Sequence, residues 1–180
     1  MGLPLIRTIG HSTRPVHDLI EMLRAHSVTR LIDVRTIPKS RHNPQYNSDA
    51  LAAALRNAGI AYEHRKALGG LRHARKDSIN TGWRNQSFRG YADYMQTAEF
   101  RGALASLQET AAQDPVAIMC AEAVPWRCHR SLIADALTAH GYPVEHIMSS
   151  TKSDPHKLTS FARVEGTTIT YPSTPQEPLF

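Results

Sequence analysis

Residues 119–130 read MCAEAVPWRCHR and place two Cys, one Glu, one His, two Arg and one Trp within twelve positions. Cys120 ends the apolar run PVAIM and precedes the helix-like run SLIADALTAHG, so its thiol belongs at the carboxyl end of a strand. A cysteine placed there, facing a helix start beside Arg127 and Arg130, can have a depressed pKa and act as a thiolate nucleophile. The plainer use of Cys120 is as a small apolar residue closing a strand. Glu122 lies just past the same strand end, near Trp126. It can work as general acid or base, or as a nucleophile toward a glycosidic or ribosyl carbon. Its plainer use is an ion pair with Arg35, Arg127 or Arg130 that orients the loop. Cys120, Cys128 and His129, with His11, also make a soft ligand set. They form no Cys-x-x-Cys knuckle and have no second compact pair, so the expectation is no metal and no cofactor.

Arg127 and Arg130 fall at a helix start, where backbone N–H groups and the dipole add to a guanidinium in holding an anion. His11 and His129 are acid–base candidates by their ordinary pKa. Asp33 can orient His11 or Arg35, and an Asp33–Arg35 pair is the simpler outcome. Arg35, Arg41 and Ser12 extend the candidate binding set. Tyr46 and Trp83 can stack on a base or cover a core edge. A strand-end Cys before an Arg-bearing loop is similar to the arrangement in rhodanese-type sulfurtransferases and Cys-dependent phosphatases. The LIDVR segment is likewise similar to the Asp and Arg of rhodanese-like domains. The phosphatase spacing puts five residues between Cys and Arg; here that position is Trp126, and Arg127 is one late. Pro125 has no N–H to offer an anion, and Glu122 repels one.

The elements that must position these groups follow from periodicity. PLIRTI, 4–9, reads as a strand ending at Gly10-His11-Ser12. Val16, Leu19, Ile20 and Leu23 then mark an amphipathic helix, with Pro15 in its first turn and Ser12 or Thr13 as cap. RLIDV, 30–34, is a second strand running into a Pro-rich basic loop. Ser48 can cap a helix carrying Leu51, Ala54, Leu55 and Ala58, stopped by Gly59. IAYEH, 60–64, is a third strand. Helices are expected around Phe88–Met95, from Thr97 with Phe100, Leu104 and Leu107, and from about Cys128 to His140. VAIMC, 116–120, and PVEHIM, 143–148, are further strands. FARVEGTTITYP reads as an edge hairpin and the final PSTPQEPLF as loose.

Alternating strands and helices predict one α/β domain over residues 1–180, a mostly parallel sheet with helices on both faces in the Rossmann-like manner. Strand order is not readable. Ligands in such sheets bind beyond the strand carboxyl ends. Gly10-His11-Ser12, Asp33-Val34-Arg35 continuing to Arg41, and Cys120-Ala121-Glu122 should therefore share one rim. Residues 65–86 show no period and read as a basic loop or lid. Residues 150–180 read as the C-terminal hairpin and tail.

The net charge of +5 is uneven. Residues 35–90 hold eleven Lys/Arg against three acids, 11 − 3 = +8, and the remainder is 10 − 13 = −3. That imbalance suggests an anionic small molecule or a nucleic acid as partner. The apolar runs are too short for a membrane span, the N-terminus does not read as a signal peptide, and two Cys do not make a disulfide framework. A cytoplasmic protein with reduced thiols is expected.

The set TIGHS (8–12), LIDVRTIPKSR (31–41), Leu68-Gly69-Gly70, GYADYM (90–95) and MCAEAVPWRCHRSLIA (119–134) resembles the domain of unknown function 488 family. The resemblance covers about residues 6 to 148. It implies a bacterial or archaeal cytosolic α/β protein and no particular activity. From the residues, the leading expectation is an enzyme acting on an anionic substrate such as a nucleotide or nucleic-acid component. Cys120 and Glu122 would do the chemistry, with His11 and His129 as acid–base groups. Arg35, Arg41, Ser12, Asp33, Tyr46, Arg127 and Arg130 would bind. The alternatives are a noncatalytic nucleic-acid-binding module and a rhodanese-like transferase or metal-binding protein.

Overall fold

The computed structural model describes residues 2–173 of the chain. In chain order the elements are β1 (Ile6–Gly10), α1 (Val16–Ala25), β2 (Arg30–Asp33), α2 (Ser48–Asn57), β3 (Ala61–His64), α3 (Gln86–Tyr94), α4 (Ala98–Gln113), β4 (Val116–Cys120) and α5 (Arg130–Ala139). β5 (Val144–Ile147), β6 (Ser153–Pro155), β7 (Arg163–Glu165) and β8 (Thr168–Thr170) follow. Six strands form one sheet in the order β3-β2-β4-β1-β5-β6. The first five are parallel, and β6 runs antiparallel to β5.

Both faces are covered. On one, Leu19 and Leu23 of α1 and Leu51 and Leu55 of α2 pack with Ile9, Leu31 and Met119. On the other, Phe100, Leu104 and Leu107 of α4 and Leu132 and Leu137 of α5 pack with Ile32, Ile118 and Cys120. The period of two along a strand explains the split within β4: Val116, Ile118 and Cys120 go to one face, Ala117 and Met119 to the other. Each such fully buried aliphatic or aromatic side chain is worth about 1.5–3 kcal/mol. The chain leaves β1 and β2 toward the α1/α2 face but leaves β4 toward the α5 face. Because β4 lies between β1 and β2, the connections diverge there and open a crevice at its carboxyl end.

Two caps differ from the sequence reading. α1 starts after Pro15 with no side-chain cap, while Ser12 takes a positive φ of 49° in the preceding turn. Asn47, not Ser48, is the cap residue of α2, but its Oδ1 accepts from the Ser40 N–H at 2.7 Å, so it ties down the β2 loop instead. α3 and α4 are capped conventionally, by Asn85 and Thr97. The β7–β8 hairpin forms, but as a separate two-stranded unit, with Ile169 and Tyr171 buried against the main core. The expectation of a loose end at 172–180 falls, beyond Ser173, outside the described residues.

Candidate active site

The crevice is a cleft of about 390 Å³ lined by His11, Arg35, Cys120, Glu122, Arg127 and His129, with Thr36, Lys39 and Ser40 from the β2 loop and Cys128 from the start of α5. Gly70, Leu71, Ser87 and Phe88 close the far wall. Three polar segments thus share one rim. They are joined by backbone bonds, His11 N to Cys120 O at 3.0 Å, Ser12 N to Ala121 O at 2.9 Å and Val34 N to Met119 O at 3.0 Å. Gly10 makes the approach possible, since a Cβ there would sit 1.7 Å from the Glu122 carbonyl oxygen.

Arg35 lines the cleft, and Asp33 backs it from outside the lining. Asp33 Oδ1 accepts from Arg35 Nε at 2.9 Å, and Oδ2 accepts from Arg35 Nη2 at 2.7 Å and from the Tyr62 hydroxyl at 2.7 Å. Arg35 Nη2 also donates to the Tyr46 carbonyl at 2.7 Å. His11 donates through Nδ1 to Ser12 O at 2.8 Å, which leaves Nε2 to accept from Arg35 Nη1 at 3.3 Å. Burial first, opposed by the Ser12 carbonyl and reinforced by Arg35, lowers the His11 pKa. His11 is neutral with its lone pair already engaged, so it extends the Arg35 site rather than standing free as a base. Tyr46 is fully buried and stacks on His11 at 4.2 Å. It is therefore packed beneath the cleft and not open to a base. Trp83 packs against Phe88, Phe161 and Tyr171 at a core edge.

Arg130 has the largest departure from expectation. It is fully buried, and both terminal nitrogens bind the protein: Nη1 donates to Thr8 Oγ1 at 2.8 Å, and Nη2 to Glu122 O at 3.0 Å and Ala123 O at 2.9 Å, while Nε has no partner among the described residues. It shapes the loop rather than reaching into the cleft. Cys120 Sγ lies 3.7 Å from the same Glu122 carbonyl oxygen. Burial pushes the Cys120 thiol up, but the Cys128 hydrogen bond and then the Arg130 charge outweigh it, and the net direction is down. The Cys128 thiol is held well above its usual range, by burial first and by Cys120 second. Cys120 is 2% exposed at the cleft floor.

Glu122 is exposed on the rim, and its carboxylate makes no ion pair among the described residues. The expected pairing with Arg35, Arg127 or Arg130 does not form, because only the Glu122 backbone carbonyl meets Arg130. Trp126 turns away, 68% exposed, and lines a second cavity. His129 donates through Nε2 to Val34 O at 2.9 Å, and burial pushes it down to about 4. Gly70 is needed beside it, since a Cβ would meet His129 Nδ1 at 2.5 Å. Ser12 lines an adjoining hollow with His11, Glu122 and Arg127. Arg41 is exposed and lines neither.

The basic 65–86 segment is fastened down. Asp93 accepts from Arg75 N at 2.8 Å, Ser78 Oγ at 2.6 Å and Asn80 Nδ2 at 2.8 Å. Tyr91 and Tyr94 donate to Leu68 O and Ala67 O. Arg72 lies 3.5 Å over the Tyr94 ring, Arg65 pairs with Glu63, Arg75 with Asp77, and Arg89 donates to Trp83 O. Three of the segment's six Lys/Arg, Arg65, Arg72 and Arg75, are thus engaged by other side chains, and only Gly70 and Leu71 of the segment line the cleft.

A polar line that the sequence reading missed runs from Arg130 to the second cavity. Arg130 Nη1 donates to Thr8 Oγ1 at 2.8 Å, Thr8 Oγ1 to His146 Nδ1 at 2.6 Å, His146 Nε2 to His156 Nδ1 at 2.8 Å, and His156 Nε2 to Asp135 Oδ1 at 2.7 Å. A guanidinium only donates and a carboxylate only accepts, so the two ends of the line are fixed, as donor at Arg130 and acceptor at Asp135. Burial first, then His156 and Arg130, pushes His146 down to about 3. His146 and His156 line the second cavity, of about 640 Å³, with Trp83 and Trp126.

Among the described residues no group of three or more His, Cys, Asp and Glu is arranged to hold a metal ion, and no helix is long and apolar enough to cross a membrane. The family model "Domain of unknown function DUF488" matches residues 15–137, and the chain belongs to that family. No curated protein and no solved structure matches it.

Proposed function

We propose that this member of the domain of unknown function 488 family is an enzyme that attacks a small anionic substrate, a nucleotide or nucleic-acid component, with the Cys120 thiolate. The observation that carries this reading is that Cys120 Sγ, at 3.7 Å, and Arg130 Nη2, at 3.0 Å, meet at one carbonyl, Glu122 O, and that Arg130 is a fully buried guanidinium with no salt bridge among the described residues. A buried cation without a carboxylate favours the charged form of a neighbouring thiol. Lys39 and Arg127 at the mouth supply the charge that holds the anion. Arg35, neutralised by Asp33, and His11 shape the floor. Glu122 at the rim is placed to give or take the proton of the leaving group. A reducing, cytosolic compartment keeps such a thiol available. A rhodanese-like sulfur transfer would use the same thiolate on a different anion.

The test is alkylation of the whole protein with iodoacetamide across pH, with and without adenosine monophosphate or inorganic phosphate. Cys120 should react faster than a free thiol at neutral pH, and anions should protect it, less so after Lys39→Glu or Arg127→Glu. A Cys120 rate no faster than a free thiol, or no protection by either anion, overturns the reading. The competing class is a noncatalytic nucleic-acid-binding module built on exposed Lys39, Arg41, Lys66, Lys76 and Arg84. It is favoured if Cys120→Ser and Glu122→Gln change nothing while charge reversal in 65–86 abolishes a steeply salt-dependent nucleic-acid affinity.

A further inference from the structure

The loop between Cys120 and Cys128 returns on itself, so both thiols reach the floor of one cleft. Arg130 gathers the Glu122 and Ala123 carbonyls, and the Cys128 N–H donates to Pro125 O at 3.2 Å, which folds residues 121–127 into a tight return. The two cysteines are free, buried in the same core cluster, and both line the 390 Å³ cleft. The Cys128 thiol faces two acceptors. One is the Cys120 sulfur, which shares the cleft floor and raises the Cys128 thiol's pKa. The other is His129 Nδ1 at 3.5 Å, whose lone pair is free because Nε2 carries the proton given to Val34 O. Cys120 is thus the thiol whose pKa is lowered, and Cys128 the one held protonated on the same cleft floor. That division of roles suits an attacking and a resolving thiol.

We propose that Cys120 and Cys128 form a dithiol–disulfide couple that reduces a hydroperoxide, Cys120 attacking and Cys128 resolving. The inference rests on the reading of Cys120 as the reactive thiolate. In the first step the Cys120 sulfur bonds to the terminal peroxide oxygen and the O–O bond breaks. The electron pair leaves on the other oxygen, which takes a proton from solvent. Cys120 is now a sulfenic acid, oxidised by two electrons. In the second step the Cys128 sulfur bonds to the Cys120 sulfur and the S–O bond breaks. The hydroxide leaves as water with the proton that Cys128 gave up. The sum is two thiols and one hydroperoxide to one disulfide, one alcohol (water for hydrogen peroxide) and one water. An external dithiol restores the reduced pair by exchange. The open cleft mouth admits a small oxidant to both thiols.

The experiment treats the reduced full chain with hydrogen peroxide and reads intact mass and peptide maps, with dimedone present in a parallel arm. The wild type should lose two hydrogens in mass and give a Cys120–Cys128 linked peptide. Cys128→Ser should give no such peptide and a dimedone adduct on Cys120. Cys120→Ser should oxidise at Cys128 at least about tenfold more slowly. Wild-type Cys120 passing to sulfinic acid with no linked peptide overturns the couple, and so does a Cys120→Ser chain that oxidises at the wild-type rate. The wild-type arm needs no substitution, so a variant that folds poorly does not decide the matter. If Cys120 is selectively alkylated by iodoacetamide yet forms no disulfide, this inference fails and the nucleophile reading stands. If it is not selectively alkylated, both fail.

Discussion

Lowering the pH from 7.5 to 5.5 should cost the fold about 3 kcal/mol through two buried histidines. His129 is held at about 4 and His146 at about 3, against an ordinary value of 6.5, and burial is the first cause in both. Each is neutral in the folded protein. Their folded pKa values are depressed, so their contribution is complete above 6.5 and is lost as pH falls from 6.5 toward 4 and 3. One unit below 6.5, the unfolded chain binds nearly one more proton at each site, which removes about 1.4 kcal/mol per histidine. The geometry agrees, since both rings already spend their N–H groups on fixed acceptors, Val34 O and His156 Nδ1. Urea unfolding followed by tryptophan fluorescence at pH 7.5, 6.5 and 5.5 measures the slope. His146→Asn keeps a donor and an acceptor but cannot titrate, and should remove about half of it. A stability that is flat over this range, or a slope unchanged in the His129→Asn/His146→Asn protein, would refute the reasoning.

Three further perturbations test other parts of the structure. Asp33→Asn leaves Arg35 buried beside a neutral amide and should cost about 3–5 kcal/mol in urea unfolding. Gly10→Ala drives a methyl into the Glu122 carbonyl. It should destabilise by at least about 1–3 kcal/mol and displace the loop that carries Arg127, visible as a changed Cys120 alkylation rate. Asp93→Asn weakens the three bonds that fasten the 65–86 segment. Limited trypsin digestion should then cut at Arg72, Arg75 or Lys76 several-fold faster than in wild type, while an unchanged digestion pattern would mean the segment is held elsewhere.

The parallel strands and their helices were legible because burial on both sheet faces writes compact apolar runs such as RLID and VAIMC. The shared rim followed from those strands, since a parallel sheet puts all carboxyl ends on one side. β6 was not legible. Ser-Asp-Pro has no apolar alternation, and the strand exists only because β5 offers an unpaired edge. Arg130 misled because arginine at a helix start ordinarily faces solvent, and nothing local announces that Thr8 and two carbonyls will enclose it. Tyr46 misled for the same reason, being an aromatic in a Pro-rich loop that the fold buries under His11. The partners of His146 lie at positions 8 and 156, with Asp135 reached through His156, all on separate elements, so no spacing rule links them.

The line of hydrogen bonds from Arg130 to Asp135 begins and ends on one helix. It leaves α5 at Arg130, crosses β1 at Thr8 and β5 at His146, turns at His156 just past β6, and re-enters α5 at Asp135. The circuit acts as a key in a keyway. Apolar ridges permit a helix to slip or roll by small amounts, but a closed circuit of directional bonds permits one axial position and one rotation. Cys128 and His129 ride at the amino end of that helix. Their placement against Cys120 is thus indexed by groups on the far side of the sheet's edge, none of which touches the cleft. Amides in the first turns of α5 should accordingly be among the slowest to exchange with solvent, although the helix begins beside an open crevice.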